Sequence, residues 1–265
     1  MDKVEQLLRE GDLSGVLKQL QEQVKKNPAN ASYRTFLFQL LAVLGQWQRA
    51  LTQLNVAGEM DAANLAMMQA YREVIACEVF RKSVFSGVKS PLIFGDPQPW
   101  IALLLEALKL SSQQEYEKSA QVRAEAFDQA PTIAGSINGV EFDWIADADS
   151  RIGPVLEVII NGQYYWVPFD RISVIHLEEP TDLRDLVWMP AHFMWTNQGE
   201  AYGFIPARYP GSEDNEDNLI KLGRKTEWQS LSDEFFVGQG QKILTTNIDD
   251  YSLLDIREIK FKTAD

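Results

Sequence analysis

Two glycines set 34 residues apart, Gly11 and Gly45, place the strongest constraint on how this 265-residue chain can fold. Each is followed two residues later by a large apolar side chain, Leu13 or Trp47, and seven residues after that by a leucine, Leu20 or Leu54. Apolar residues otherwise recur three and four apart, through Val16, Leu17, Leu20 and Val24, then through Phe36, Leu37, Leu40, Leu41 and Leu44. That spacing gathers them on one face of a helix. Asn27-Pro28 closes the first unit. One helical hairpin cannot cover its own apolar face, so successive hairpins must stack.

A helix pair repeated every 34 residues, with glycine at its turn and a closing proline, is the signature of a tetratricopeptide repeat. The pattern weakens along the chain. One period beyond Gly45 stands Val79, inside the still amphipathic LAMMQAYREVIACEVFRKSVFSG, and residues 87–99 interrupt the series with three prolines. A last helical pair, residues 100–110 and 114–129, ends at Pro131. We count two regular units and two degenerate ones. An irregular helical bundle with a coincidental spacing is the alternative.

Past Pro131 the texture changes to short strands. VLEVII and QYYWVPF flank Asn161-Gly162, and an Asn-Gly pair between two strand-forming runs is the strongest short-range hairpin signal. HFMWT and EAYGFIPA flank Asn197-Gln198-Gly199 in the same way, and QKILTTNI and REIKFKT read as further strands. Between them GSEDNEDN, residues 211–218, reads as an acidic surface loop. The expected fold is therefore α+β in two domains: tetratricopeptide-like helical hairpins over 1–130, then a mainly antiparallel β domain over 131–265, with a small barrel as one form it could take.

Charge divides at the same point. Of the formal net charge of -13, residues 1–130 carry -1 and 131–265 carry -12. An acidic surface repels phosphate backbones, so nucleic acid is not an expected partner. No run approaches the roughly 18 apolar residues of a membrane span, and MDKVEQLLREGDL lacks the parts of a signal peptide, so a cytoplasmic location is expected. Cys77, the one cysteine, lies in REVIACEVF and reads as a buried, inert thiol.

Candidate chemistry centres on DWIADADSRIGP, residues 143–154. Asp147 and Asp149 are spaced like the start of a calcium loop, yet the fifth, sixth and twelfth places hold Arg151, Ile152 and Val158 instead of an oxygen ligand, glycine and glutamate. The ordinary reading is a polar loop whose aspartates accept backbone amides and pair with Arg151. A carboxylate-dependent, metal-binding hydrolase using Asp143, Asp147 and Asp149 is the competing one. His176 and His192, the two histidines, serve chemistry only if the fold brings them together, and no nucleophile elbow, P-loop or dinucleotide fingerprint is present. No catalytic residue, cofactor or metal ligand is expected. Five of the seven tryptophans fall after Pro131, most of them expected in the core and one or two on an interface.

The strings FDWIADADSRIGPVLEVIINGQYYWVPFDRI, PTDLRDLVWMPA, WTNQGEAYGFIPARYPGS and LLDIREIKF resemble the ImpE family, also called SciE or TagJ, accessory proteins of bacterial type VI secretion. The resemblance runs from about residue 1 to 262 and is most specific from Phe142 to Ser212. It implies a non-enzymatic adaptor that binds the N-terminal helix of the small contractile-sheath subunit, TssB, and links the sheath to its recycling ATPase, ClpV. Stacked hairpins offer a concave surface for such a segment. On the tetratricopeptide pattern its inner face would carry Ser32, Thr35, Gln39 and Ala42. Arg151, Arg171, Arg184 and Arg208 are the candidates for a docking face on the strand half, their ordinary role being internal pairing with neighbouring aspartates. Self-association through edge strands is a third reading.

Overall fold

The computed structural model describes residues 2–233 and 235–262. Its first half consists of α1 (Asp2–Glu10), α2 (Leu13–Lys26), α3 (Ala31–Val43), α4 (Trp47–Met60), α5 (Leu65–Phe85), α6 (Pro99–Ser112) and α7 (Tyr116–Gln129). Local chemistry sets the starts. The Asp12 carboxylate accepts the Gly15 N–H at 2.9 Å ahead of α2, Asn30 accepts the Ser32 N–H at 3.0 Å ahead of α3, and Pro99 opens α6.

Gly11 and Gly45 sit at the α1–α2 and α3–α4 turns with φ of +76° and +65°, the left-handed region where only glycine is unstrained. Gln114 makes the same turn between α6 and α7 at φ +64°. Val79 falls in the middle of α5, so the period lapses where one 21-residue helix replaces a hairpin. A Cβ at Gly45 would also lie 2.5 Å from Glu213 Cγ. Gly45→Ala is therefore expected to destabilise the protein by about 1–2 kcal/mol, read as a shift in urea midpoint. A midpoint equal to wild type would sink the strain account of this turn.

The strands are β1 (Leu92–Ile93), β2 (Gly135–Ile137), β3 (Val140–Phe142), β4 (Ile145–Asp147), β5 (Val155–Ile160), β6 (Gln163–Pro168), β7 (Ile172–Leu177), β8 (Trp188–Trp195), β9 (Glu200–Pro206), β10 (Thr226–Ser232), β11 (Phe235–Gly240), β12 (Ile243–Thr246), β13 (Asp250–Ser252) and β14 (Glu258–Phe261). Both hairpin signals fold as expected: Asn161 and Gly162 turn at φ +50° and +70° between β5 and β6, and Gln198 turns at +66° between β8 and β9. REIKFKT forms β14, with Thr263 outside the described residues.

Nine strands form one sheet in the order β1-β6-β5-β9-β8-β7-β14-β2-β3, antiparallel throughout except that β1 runs parallel to β6. The sheet does not close, so the small barrel is not what forms. Closure is unnecessary because most of both faces is covered. Val155, Ile159, Tyr164, Trp166 and Trp188 pack against the helices, while Leu156, Val158, Ile160, Val167 and Phe193 pack against the opposite layer. That layer contains the three-stranded sheet β13-β12-β4 and the turn carrying Leu253 and Leu254. Lying between the two layers, β5 is buried at all six residues, the charged Glu157 included.

The acidic stretch at 211–218 does not hang free as a loop. It holds a short turn, Ser212–Asp214, and leads into α8 (Asn218–Lys221), and the segment seats on the helical turns. Asn218 Nδ2 donates to the Gly11 carbonyl at 2.8 Å, Lys82 pairs with Asp214 at 3.1 Å, and Arg224 donates to the Leu8 carbonyl at 2.8 Å. The turn glycines are thus also where the strand half touches the helical array.

Candidate functional site

The aspartate loop leads into a buried chain of charges between the two halves. Asp147, at the end of β4, accepts Lys242 Nζ at 2.5 Å and the Tyr209 hydroxyl at 3.0 Å. Lys242 reaches on to Glu157 Oε2 at 3.0 Å. Glu157 in β5 also accepts Arg81 of α5 in a fork, Nε at 2.6 Å and Nη2 at 2.8 Å, and the Tyr164 hydroxyl at 2.5 Å. Arg81 continues to Glu78 at 2.9 Å, and Glu78 accepts the Trp188 indole N–H at 2.8 Å.

Asp149 accepts the Arg151 guanidinium at 2.9 and 2.6 Å and the Gly238 N–H at 2.9 Å. The eight charged side chains of this chain and of Arg208 balance, four cations against four anions, as groups removed from water require. Burial raises Asp147 to about 6 even with Lys242 beside it. Glu157 would also be raised by burial, but Arg81, Lys242 and the Tyr164 hydroxyl hold it well below the usual carboxylate range.

These contacts answer whether the aspartates gather for chemistry. Asp143 is exposed and bonded to Asn247, away from Asp147 and Asp149, whose oxygens are occupied. A metal at that place would have to displace two buried ion pairs. Among the described residues no group of three or more His, Cys, Asp or Glu is arranged to hold a metal ion.

On α3 the expected inner face is partly taken by the chain itself. Ser32 is exposed and Thr35 half-buried, but Gln39 Oε1 accepts the Leu183 N–H at 3.1 Å and Ala42 is fully buried. All four arginines are engaged internally. Arg151 pairs with Asp149 and Arg184 with Asp182 at 2.5 Å, Arg184 also lying 4.7 Å over the Tyr71 ring. Arg171 lies 3.7 Å from Asp170 and is half-buried. Arg208 finds no carboxylate; it donates to the Val43 carbonyl at 2.9 Å and to the Lys221 carbonyl, closing the C-terminal end of α3.

Cys77 is buried with its thiol toward the Gly162 carbonyl at 3.2 Å, and burial, with Glu78 and Glu73 adding, pushes it up to about 11. Trp166, Trp188 and Trp195 are in the core, whereas Trp144 and Trp228 are exposed.

The histidines do converge. His176 and His192 face each other across β7 and β8 with stacked rings 6.2 Å apart, and Tyr202 of β9 stacks on His192 at 4.4 Å. Glu200 lies 3.0 Å from His192 and Glu258 3.5 Å from His176. This aromatic row floors an open groove of about 640 Å³ whose wall is the Ala70, Glu73 and Val74 face of α5. Sequence reading passed over Glu157 and Tyr202, and with them Glu78, Arg81, Tyr164, Tyr209 and Lys242 of the buried chain. A lone acid inside the apolar run VLEVII was the available sign for the first; nothing marked Tyr202 as the strand residue that faces solvent.

The ImpE protein family matches residues 139–260, the stretch from β2–β3 to β14. The type VI secretion system accessory component TagJ of Pseudomonas aeruginosa is 47% identical over 261 residues, spanning 98% of this chain and 92% of that protein. The chain belongs to the ImpE family. A crystal structure of the Vibrio parahaemolyticus protein VPA1032 resembles it with a TM-score of 0.89 at 25% identity, covering 99% of this chain and 98% of that one. The ImpE match contains Asp147, Asp149, Glu157, Arg208 and Lys242, while their partner Arg81 lies outside it. In this ImpE chain, then, the buried charge chain couples the matched region to the helical half. No helix among the described residues is long and apolar enough to cross a membrane.

Proposed function

We propose that this ImpE chain is a non-enzymatic, cytoplasmic adaptor of type VI secretion, which binds the N-terminal helix of the small sheath subunit TssB and through it links the sheath to the ATPase ClpV. The observation that carries this reading is its 47% identity, over nearly the whole chain, to a protein named as an accessory component of that system. The geometry supports binding over hydrolysis, because Asp147 and Asp149 are sealed in ion pairs while an open groove with an aromatic floor lies beside α5. A helical array of tetratricopeptide character would hold the partner beside the sheet; Ser32, Thr35 and the half-buried Arg171 are the positions of the two sequence-derived faces still open to it.

Calorimetric titration with a peptide of the first ~25 residues of the small sheath subunit from the same organism, long enough for several helical turns, tests the reading. Saturable one-to-one binding is expected. No heat of binding at high micromolar peptide removes the adaptor function and leaves the fold standing.

A further inference from the structure

The chain contains the same tripeptide twice, Ile137-Asn138-Gly139 and Ile160-Asn161-Gly162, and each time folds it into the two-residue turn of a hairpin. The backbone angles match: φ is +48° and +84° in the β2–β3 turn, +50° and +70° in the β5–β6 turn. Asparagine before glycine is the pair most prone to lose its side-chain amide, because glycine has no Cβ to keep its nitrogen from the asparagine Cγ. With sequence and turn shared, a difference in that chemistry comes from what surrounds each side chain.

The surroundings differ. Asn138 Oδ1 accepts the Arg257 N–H at 2.8 Å and the Glu258 N–H at 3.1 Å, and its Nδ2 donates to the Asp255 carbonyl at 3.2 Å. The Asn161 side chain is exposed, and among the described residues it makes no hydrogen bond. Nor does any backbone carbonyl among them accept the Gly162 N–H. Beneath the turn, Cys77 Sγ of α5 donates to the Gly162 carbonyl at 3.2 Å, and Glu73 stands so close that a Cβ on Gly162 would lie 2.7 Å from its Oε2.

We infer that Asn161 is a site of spontaneous deamidation, that Asn138 is protected from it, and that conversion at Asn161 loosens the turn covering Cys77. The Gly162 nitrogen gives its proton to a base in solvent and bonds to Asn161 Cγ; the Cγ–Nδ2 bond breaks, ammonia leaves and a succinimide ring is closed. Water then opens the ring at one carbonyl, giving aspartate or isoaspartate. Water is consumed, and no oxidant or reductant takes part. Either product sets a second carboxylate beside Glu73, and isoaspartate also lengthens the main chain of the turn by a methylene, so Ile160 no longer meets Gln163 in register. At Asn138 three hydrogen bonds must break before Cγ can be approached, which slows ring closure there by at least about tenfold.

The test incubates the full chain in mildly alkaline buffer, with and without urea, and follows both tripeptides by mass spectrometry and by isoaspartyl methyltransferase labelling. In urea the two sites are expected to convert at one rate, and in the folded protein Asn161 to convert at least about tenfold faster than Asn138. Equal rates in the folded protein, or Asn138 the faster, overturn the inference, as does a folded chain that keeps Asn161 intact while the unfolded chain loses it. The converted form, separated by ion exchange on its added negative charge, is then treated with a thiol reagent. Cys77 is expected to react at least about threefold faster than in the unmodified chain, since losing a hydrogen bond at the turn favours local opening. Unchanged reactivity overturns the loosening. Asn161→Gly keeps the left-handed turn without the reacting amide and is expected to abolish both changes; incubation that uncovers Cys77 in this variant as well overturns the link between the two.

Discussion

Replacing Glu157 by glutamine is expected to cost about 3–5 kcal/mol of folding stability. The glutamate accepts four donors from Arg81, Lys242 and Tyr164, and it is fully buried. Glutamine keeps the shape but has one acceptor oxygen, and its amide turns two donors toward groups that are themselves donors. Arg81 would retain Glu78 and Lys242 would retain Asp147, but with Arg208 counted, four cations would face three anions in the interior. With typical domain stabilities of about 5–15 kcal/mol, such a loss is a large part of the whole. Urea unfolding followed by circular dichroism measures it; a loss below about 1 kcal/mol would show that water or relaxation screens the site and that the chain of charges does not bind the halves together.

Trp188→Ala is expected to destabilise by a similar amount, about 3–5 kcal/mol, for a different reason. The indole is fully buried on the helix side of β8, 5.8 Å from the Trp47 ring of α4 and 5.9 Å from the Tyr71 ring of α5, and its N–H is held by Glu78. Truncation opens a cavity where α4, α5 and the sheet meet, and it removes a donor from a buried carboxylate. Trp188→Phe separates the two terms: it keeps most of the packing and loses the hydrogen bond, for about 1–2 kcal/mol. If phenylalanine costs as much as alanine, the carboxylate contact and not the packing governs this site.

Much of the architecture was legible because it rests on local chemistry. The Gly11 and Gly45 turns and the Asn161-Gly162 hairpin each need a left-handed backbone that few residues adopt, and a short-range constraint leaves a short-range mark. The open sheet was not legible in the same way. Whether a set of strands closes depends on what covers its faces, and the cover comes from residues far away in sequence, such as Leu253 and the α5 stripe.

The sites divide along the same line. Pairing of Arg151 with Asp149 lies within one loop and could be anticipated, whereas Lys242 meets Asp147 across 95 residues. Arg208 was expected to seek a carboxylate and instead closes a helix end, where the buried Val43 carbonyl has no helical partner and accepts its guanidinium. The α3 face drawn from the repeat pattern leaves out the turn at Leu183–Leu186 that lies on it, because a repeat pattern describes a helix among its own kind.

The strand β1 carries a mechanical implication. Leu92 and Ile93, between α5 and α6, are laced into the edge of the sheet beside Tyr165 and Trp166. The polypeptide therefore leaves its helices, adds a stitch to the sheet and returns to make two helices more. A body sewn in this way has no hinge at Pro131 about which one part can swing against the other. Force arriving at the sheet passes to the helical array without slack, which makes the protein a bracket and not a tether.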